Sequence, residues 1–219
     1  TNVTGTLNVL QACRDASIGQ LVHTSTSEVY GTARTVPIRE DHPLQGQSPY
    51  SASKIGADHL VESFSRSFEV PAVIVRPFNT YGPRQSARAI IPTVISQALT
   101  GDTLRLGSLE PTRDFNFVGD TVSGFLDVAA SGVTNAEVFN IGTGTEISIG
   151  EMVERVGQIL GKQLQVEHDP QRMRPPASEV ERLIADSSKA RERCGWEPRV
   201  TFDEGLQRTI SWIAEHQGA

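Results

Sequence analysis

Apolar residues recur at helical spacing from the start of the chain. Residues 4–16 carry Leu7, Val9, Leu10 and Ala12 and predict a helix with no capping residue or start signal ahead of it. Residues 20–25 read as a short buried strand, and a polar loop then runs to Pro49. Helical spacing returns over 50–68, with Ile55, Leu60, Val61, Phe64 and Phe68 among the apolar positions. Residues 71–76 form a second buried strand, and strand, long helix, strand is the pattern of a parallel βαβ unit.

Beyond Pro77 a loop rich in Pro, Gly and Arg reaches Arg88. The pattern then predicts a helix over 89–99 and short strands over 103–106 and 115–118. Asp120 reads as the cap of a helix holding Val122, Phe125, Leu126 and Ala129. A short apolar strand over 138–141 stops at Gly142-Thr143-Gly144. Ser148 with Glu151 has capping-box spacing ahead of Ile149, Met152, Val153, Val156, Ile159 and Leu160. Thr201 with Glu204 repeats it ahead of Phe202, Leu206, Ile210 and Ile213. The predicted fold class is α/β: part of a doubly wound parallel sheet joined to a smaller α/β lobe.

Composition narrows the classes. With 37% hydrophobic residues in 219, the chain has material for a packed core, which excludes wholesale disorder. No run approaches 18 apolar residues, and the first residues lack the basic-then-apolar order of a leader, so neither a membrane span nor a secretory signal is expected. Cys13 and Cys194 are too far apart for metal-ligand spacing, so no metal is expected and a reducing, cytoplasmic setting is. A net charge of −6 argues against non-specific binding to nucleic acid or a membrane surface. Of the 20 basic residues only Lys54, Lys162 and Lys189 are lysines. A lone early lysine in so arginine-rich a chain suggests a position that needs an amine.

That lysine belongs to Tyr50-Ser51-Ala52-Ser53-Lys54. Four-residue spacing puts phenol and ammonium on one helix face, and a nearby ammonium is expected to lower the phenol's pKa toward that of a usable base. Alone, the pattern is a weak signal that is common by chance and describes a surface pair on an amphipathic helix. It is joined by polar groups at two strand ends: Thr24-Ser25-Thr26-Ser27-Glu28-Val29-Tyr30-Gly31, and Arg76-Pro77-Phe78-Asn79-Thr80-Tyr81-Gly82-Pro83-Arg84. In parallel α/β sheets ligands bind at the carboxyl ends of strands. His23, mid-strand, reads as a packed residue rather than a ligand.

Together these motifs resemble the extended short-chain dehydrogenase/reductases, and more narrowly the NAD-dependent nucleotide-sugar epimerase/dehydratase family. The likeness extends to Asn2-Val3 with Gly5-Thr6 and Asn8, to Arg113-Asp114-Phe115, to Phe139-Asn140-Ile141-Gly142 and to Cys194-Gly195-Trp196-Glu197-Pro198. It implies NAD as cofactor, held by Ser25, Tyr50, Lys54, Pro77 and Asn79, and a catalytic set of Thr26, Ser27, Glu28, Tyr50 and Lys54. Residues 1–79 would then be the catalytic end of the NAD-binding domain. Residues 80–219 would be mostly a substrate lobe, with 114–141 returning to the first domain. Members of the family open with a Gly-x-x-Gly-x-x-Gly turn that holds the dinucleotide pyrophosphate, and none occurs here. At roughly 30 residues per βαβ unit, the expectation is a chain lacking about a hundred N-terminal residues.

Family members oxidise the sugar at C4 and then diverge. Thr26-Ser27-Glu28 resembles the 4,6-dehydratases, in which Glu28 would take the acidified C5 proton and water would leave from C6. Ser27 is a poor acid, which leaves the proton donor to the leaving hydroxyl open. A 4-epimerase needs no such base. Nucleotide-sugar decarboxylases share Thr-Ser-Glu-Val-Tyr-Gly but differ at the helix start. Residues 43–49, 85–88 and 111–114 are similar to GDP-N-acetylglucosamine 4,6-dehydratases of legionaminic acid synthesis. A nucleoside-diphosphate sugar would be held by Arg84, Arg88, Arg113 and Arg174, whose forked donors suit phosphates, with amide bonds from Asn79 and Asn140. A non-catalytic sugar-nucleotide-binding fragment is the reading from another class. The two long helices, apolar on more than one face, predict a homodimer through a four-helix bundle.

Overall fold

The computed structural model describes residues 1–172 and 180–216. A three-stranded parallel sheet lies at its centre, in the order β1 (Leu21–Thr24), β2 (Ala72–Pro77), β7 (Glu137–Ile141). Its register sets Thr24 beside Val75 and Arg76 beside Asn140. Side chains of a strand alternate between faces. On one face Ala72 and Ile74 meet Leu10 of helix α1 (Asn2–Asp15) and Val61 and Phe64 of helix α2 (Pro49–Phe68). On the other, Val73 and Val75 meet Val128 of helix α4 (Val118–Ala130), Ala190 of helix α6 (Ser188–Cys194) and Trp196. A strand covered on both faces is apolar throughout, which is why β2 reads as a continuous hydrophobic run.

Helix α2 crosses from β1 to β2. It starts where Ser48 and Ser51 exchange side-chain and backbone hydrogen bonds, with Pro49 in the first turn, and ends at Glu69 in the left-handed region. This start aims Tyr50 and Lys54 at the carboxyl end of the sheet.

The second cluster of the core is the lobe. Helices α3 (Ile90–Thr100), α5 (Ile149–Leu160) and α7 (Phe202–His216) pack Ile91, Val94, Ile95, Met152, Val156, Leu206 and Ile210 together. Four further pairings brace it. Strand β3 (Asn79–Tyr81) runs parallel to β6 (Phe115–Phe117), and β4 (Thr103–Leu106) parallel to β9 (Gln165–His168). Strand β5 (Thr112–Arg113) lies between β10 (Arg182–Leu183), which is parallel to it, and β8 (Ile147–Ser148), which is antiparallel.

Several local expectations are corrected. The polar loop before Pro49 contains a 3-10 turn at Ser27–Tyr30, and the loop after Pro77 contains β3. Both are too short to carry a periodicity. Asp120 does not cap α4: it sits inside the first turn, and its Oδ2 accepts the backbone N–H groups of Arg199 and Val200 at 3.1 and 2.9 Å. The carboxylate ties down a segment with no helix or strand of its own to bond. The two capping boxes are half-formed. Ser148 Oγ and Thr201 Oγ1 accept from the N–H groups of Glu151 and Glu204, but those carboxylates pair one turn on with Arg155 and Arg208.

Tyr81 joins the lobe's strands to α7, its hydroxyl donating to the Phe202 carbonyl at 3.0 Å. Gly205 makes this possible, since a Cβ there would stand 2.1 Å from the Tyr81 hydroxyl and 2.8 Å from its ring carbon. Alanine in mid-helix is normally favoured over glycine by about 1 kcal/mol. Gly205→Ala should instead destabilise by about 1–3 kcal/mol, the range for overpacking a filled core. Urea denaturation checks the sign, and a stabilised variant would mean that Tyr81 yields.

Candidate active site

The site begins where β1 ends. Ser25 N–H extends the ladder to the Val75 carbonyl at 2.8 Å, and Thr26 is extended. Thr26 Oγ1 then accepts from Glu28 N–H and opens the 3-10 turn. Ser27, Val29 and Tyr30 turn inward and are buried, leaving Glu28 half-buried at the surface of a cleft. Gly31 ends the turn with φ of 64°, in the region that favours glycine, and a Cβ there would meet the Gln45 carbonyl at 2.8 Å.

Lys54 reaches across from α2 and donates Nζ to the Thr24 carbonyl at 2.5 Å. Burial lowers its ammonium below the ordinary lysine value, and Asp58 opposes this. Tyr50 stays 48% exposed. Contrary to the expected lowering, its phenol is raised, first by burial and further by Glu28, with the Thr26 hydroxyl pulling the other way. Among the groups acting on this phenol, Thr26 is the one that favours the phenolate.

Beneath this surface lies a buried polar chain. Asp58 has no exposed surface, and its Oδ2 accepts from Ser25 Oγ at 2.8 Å and from Arg76 Nε and Nη2 at 3.2 and 3.0 Å. His23 Nε2 stands 3.3 Å from the other oxygen, packed as its place in the strand suggests. Burial by itself would raise the Asp58 carboxyl, but His23, Arg76 and Ser25 together hold it below the ordinary value. Arg76 Nη1 donates to the Tyr30 hydroxyl at 3.0 Å, and its guanidinium lies over that ring. Tyr30 donates to Asn140 Oδ1 at 2.7 Å, and Asn140 Nδ2 donates to the Ile38 carbonyl at 3.0 Å.

Two site expectations change as a result. Asn140, fully buried with both ends of its amide bonded inside the protein, is a framework residue and not a ligand contact. The Ser25 side chain is likewise engaged on Asp58 and 3% exposed. Asp58, Arg76 and Tyr30 were not singled out from the sequence as functional. The available signal was a carboxylate on the same helical face as Val61, four residues after Lys54.

A cleft of about 750 Å³ opens between the strand ends and the lobe. It gathers Glu28, Asn79, Arg88 and Arg113, with Gln85 and Glu181 on its walls. Of the five catalytic candidates, Glu28 is the one that lines it. Asn79 Oδ1 and Gln85 Oε1 are buried in its walls without a hydrogen-bond partner. Pro77 stands at the end of β2, half-buried. Arg84 is exposed, with φ of 67°, and is not among the residues that line the cleft. Arg174 lies outside the described residues. Arg113 owes its placing to its neighbour: Asp114, fully buried, accepts from the Thr143 and Gly144 backbone, the Thr143 hydroxyl and Ala185 N–H. That loop needs Gly142, where a Cβ would stand 2.6 Å from Ala185 Cβ.

The family described as GDP-mannose 4,6 dehydratase matches residues 1–209. The chain belongs to this family. The curated relatives include the low-salt glycan biosynthesis protein Agl12 of Haloferax volcanii, 36% identical over 97% of this chain and 67% of that protein. A dTDP-glucose 4,6-dehydratase of Xanthomonas campestris is 34% identical over 99% of the chain and 66% of that protein. A UDP-glucose 4-epimerase of Mycolicibacterium smegmatis is 33% identical over 97% and 68%. The chain thus spans about two thirds of the length of these relatives. Among solved structures, a DesIV dTDP-glucose 4,6-dehydratase variant of Streptomyces venezuelae with NAD and DAU bound superposes with a TM-score of 0.89 at 33% identity, covering 100% of this chain and 67% of that one. The UDP-glucuronic acid 4-epimerase of Bacillus cereus, in complex with UDP-glucuronic acid and NAD, gives 0.91 at 29% identity, over 98% and 68%.

In this dehydratase-family chain no helix among the described residues is long and apolar enough to cross a membrane. The Thr26–Tyr50 relation gives a test. Thr26 lowers the phenol's pKa, so removing its hydroxyl should raise that pKa further and delay phenolate formation. Thr26→Val should move the earliest phase of the ultraviolet phenolate titration to higher pH, since Tyr30 and Tyr81 are buried. An unmoved phase would remove Thr26 from Tyr50's surroundings.

Proposed function

We propose that this chain carries the catalytic and substrate-binding part of an NAD-dependent nucleotide-sugar 4,6-dehydratase. The observation that carries this reading is the Glu28 carboxylate. It faces the cleft of Asn79, Arg88 and Arg113, on a turn whose first hydroxyl serves Tyr50. The donor set suits the nicotinamide-ribose end of the cofactor. Lys54 has ammonium protons beyond the one on Thr24, and half-exposed Tyr50 stands beside it at the sheet's carboxyl edge, with Pro77 and Asn79 at the next strand end. NAD supplies a hydride acceptor for C4 and a hydride donor to C6.

The residues of the chain do the rest. Arg88 and Arg113 bind the diphosphate and fix the sugar between the lobe and the strand ends. Tyr50 as phenolate takes the proton of the C4 hydroxyl, with Thr26 favouring that form. With C4 a ketone, Glu28 takes the C5 proton, and the C6 hydroxyl leaves as water after gaining a proton. Residues 1–79 with 114–141 serve the cofactor side, and the remainder mostly the sugar nucleotide. The substrate is the GDP-linked N-acetylhexosamine that the sequence resemblance suggests.

A 4-epimerase is the second reading, favoured by the Mycolicibacterium relative at nearly the same identity. Two variants of the complete enzyme separate the readings. Tyr50→Phe should lose at least about 10² in turnover under either, the lower end for a positioned acid/base. Glu28→Gln should still show reduced-cofactor absorbance on adding the sugar nucleotide, yet form no 4-keto-6-deoxy sugar and exchange little C5 hydrogen in heavy water. Parent-rate product from Glu28→Gln would end the dehydratase assignment, and C4 inversion by the parent would make the protein an epimerase.

The assembly proposed with it is a homodimer through α1 and α2. Val3, Val9 and Phe68 are exposed on these helices, and helices of two copies can bury them as a four-helix bundle. Sedimentation of the complete enzyme at micromolar concentration should give a dimer, and Val9→Glu should give a monomer. A monomeric parent counts against it.

A further inference from the structure

Tyr50, Lys54 and Asp58 follow one another at four-residue steps along one face of α2. Lys54 seats its ammonium on the Thr24 carbonyl. Asp58 lies against the residues on either side of that carbonyl: it accepts from Ser25 at 2.8 Å, and its other oxygen stands 3.3 Å from His23 Nε2. Consecutive turns of the helix thus bond Thr24 and Ser25 at the end of β1 and pack against His23. The third hold on Asp58 is Arg76 of β2, itself 2% exposed, so neither charge serves solubility. Through Nη1 the same guanidinium bonds Tyr30, the last residue of the turn that carries Glu28. One carboxylate is bonded to the strand end under Lys54 and, one guanidinium further on, to the turn that presents Glu28.

We propose that Asp58 is a positioning residue for the Tyr50–Lys54 pair, locking α2 to residues 23–25 so that the ammonium stays seated on the Thr24 carbonyl. The inference rests on the catalytic reading of Tyr50 and Lys54 given above. An electrostatic effect accompanies the geometric one: burial lowers the Lys54 ammonium and the Asp58 charge restores part of the loss. The ionisable groups facing Asp58 are His23 of β1 and Arg76 of β2, both close to it, with Lys54 of α2 acting through space and Tyr30 beyond Arg76.

The chain has three lysines, so side-chain labelling separates their titrations by nuclear magnetic resonance. In Asp58→Asn the Lys54 titration should move to lower pH by about one unit, the low end for losing a close opposite charge. The resonances of Lys162 and Lys189, paired with Asp102 and Glu137, should keep their parent chemical shifts at neutral pH and report an intact fold. Should a half-partnered Arg76 prevent folding, Asp58→Asn with Arg76→Gln carries the same readout, because Asp58 and not Arg76 acts on Lys54. An unmoved Lys54 in a folded variant overturns the proposal. This readout needs no turnover, so it stands or falls independently of the dehydratase reading. Where the complete enzyme turns over, Asp58→Asn should lower kcat about tenfold or more and leave KM for the sugar nucleotide within about twofold. Parent kcat, or a loss confined to KM, also overturns it.

Discussion

The ion pair between Asp58 and Arg76 is the constraint on which the rest of the site hangs. Two opposite charges with almost no solvent contact are costly to bury. Removing one partner of such a pair typically destabilises by about 3–5 kcal/mol. Here part of the cost is offset by further hydrogen bonds, with Ser25 on the carboxylate and Tyr30 on the guanidinium. Because these partners belong to β1, the 3-10 turn, α2 and β2, they cannot be satisfied unless all four stand in one relative position. A core of Val, Ile and Phe would hold the same elements together but tolerates sliding better than a charged network does.

The division between the buried polar chain and the surface above it accounts for what each residue can do. Asn140 and Ser25 have their side chains committed below. Thr26, Glu28, Tyr50 and Lys54 remain at the strand-end surface, and Asn79, Arg88 and Arg113 on the cleft walls. The lobe supplies the cleft's other side, and its position follows from interactions that cross the chain. Asp114 collects the loop after β7, and Tyr81 fixes α7 against β3 and β6. A substrate bridging the two sides meets cations from the lobe and a carboxylate from the sheet edge. That polarity suits a molecule with a diphosphate at one end and a reacting carbon at the other.

The family's dehydratases and epimerases share this frame, and the relatives found here span both at about one third identity. Under the dehydratase reading proposed above, the Thr26-Ser27-Glu28 turn is the part of the site that would distinguish the two, and Asp58 and Arg76 lie in the buried polar chain beneath it.

Much of this was legible in the sequence. The βαβ unit followed from a continuous apolar run at β2 and a long amphipathic α2, since periodicity survives in elements of that length. The Tyr50–Lys54 pair and the strand-end hydroxyls were legible because four-residue spacing and strand termini fix direction without knowledge of distant partners. Short elements such as β3 and the 3-10 turn were not, because a few residues hold no period. Roles that depend on long-range partners were hidden as well. Asp120 reads as a cap until the 196–200 segment is found beside it, and Asn140 reads as a ligand until Tyr30 and the Ile38 carbonyl take both ends of its amide. The sequence by itself determined which residues could do chemistry and on which helix face or strand end they sit. Tertiary structure alone decided which of them are left facing the cleft, because a polar side chain is available to a ligand only when no partner distant in sequence has already claimed it.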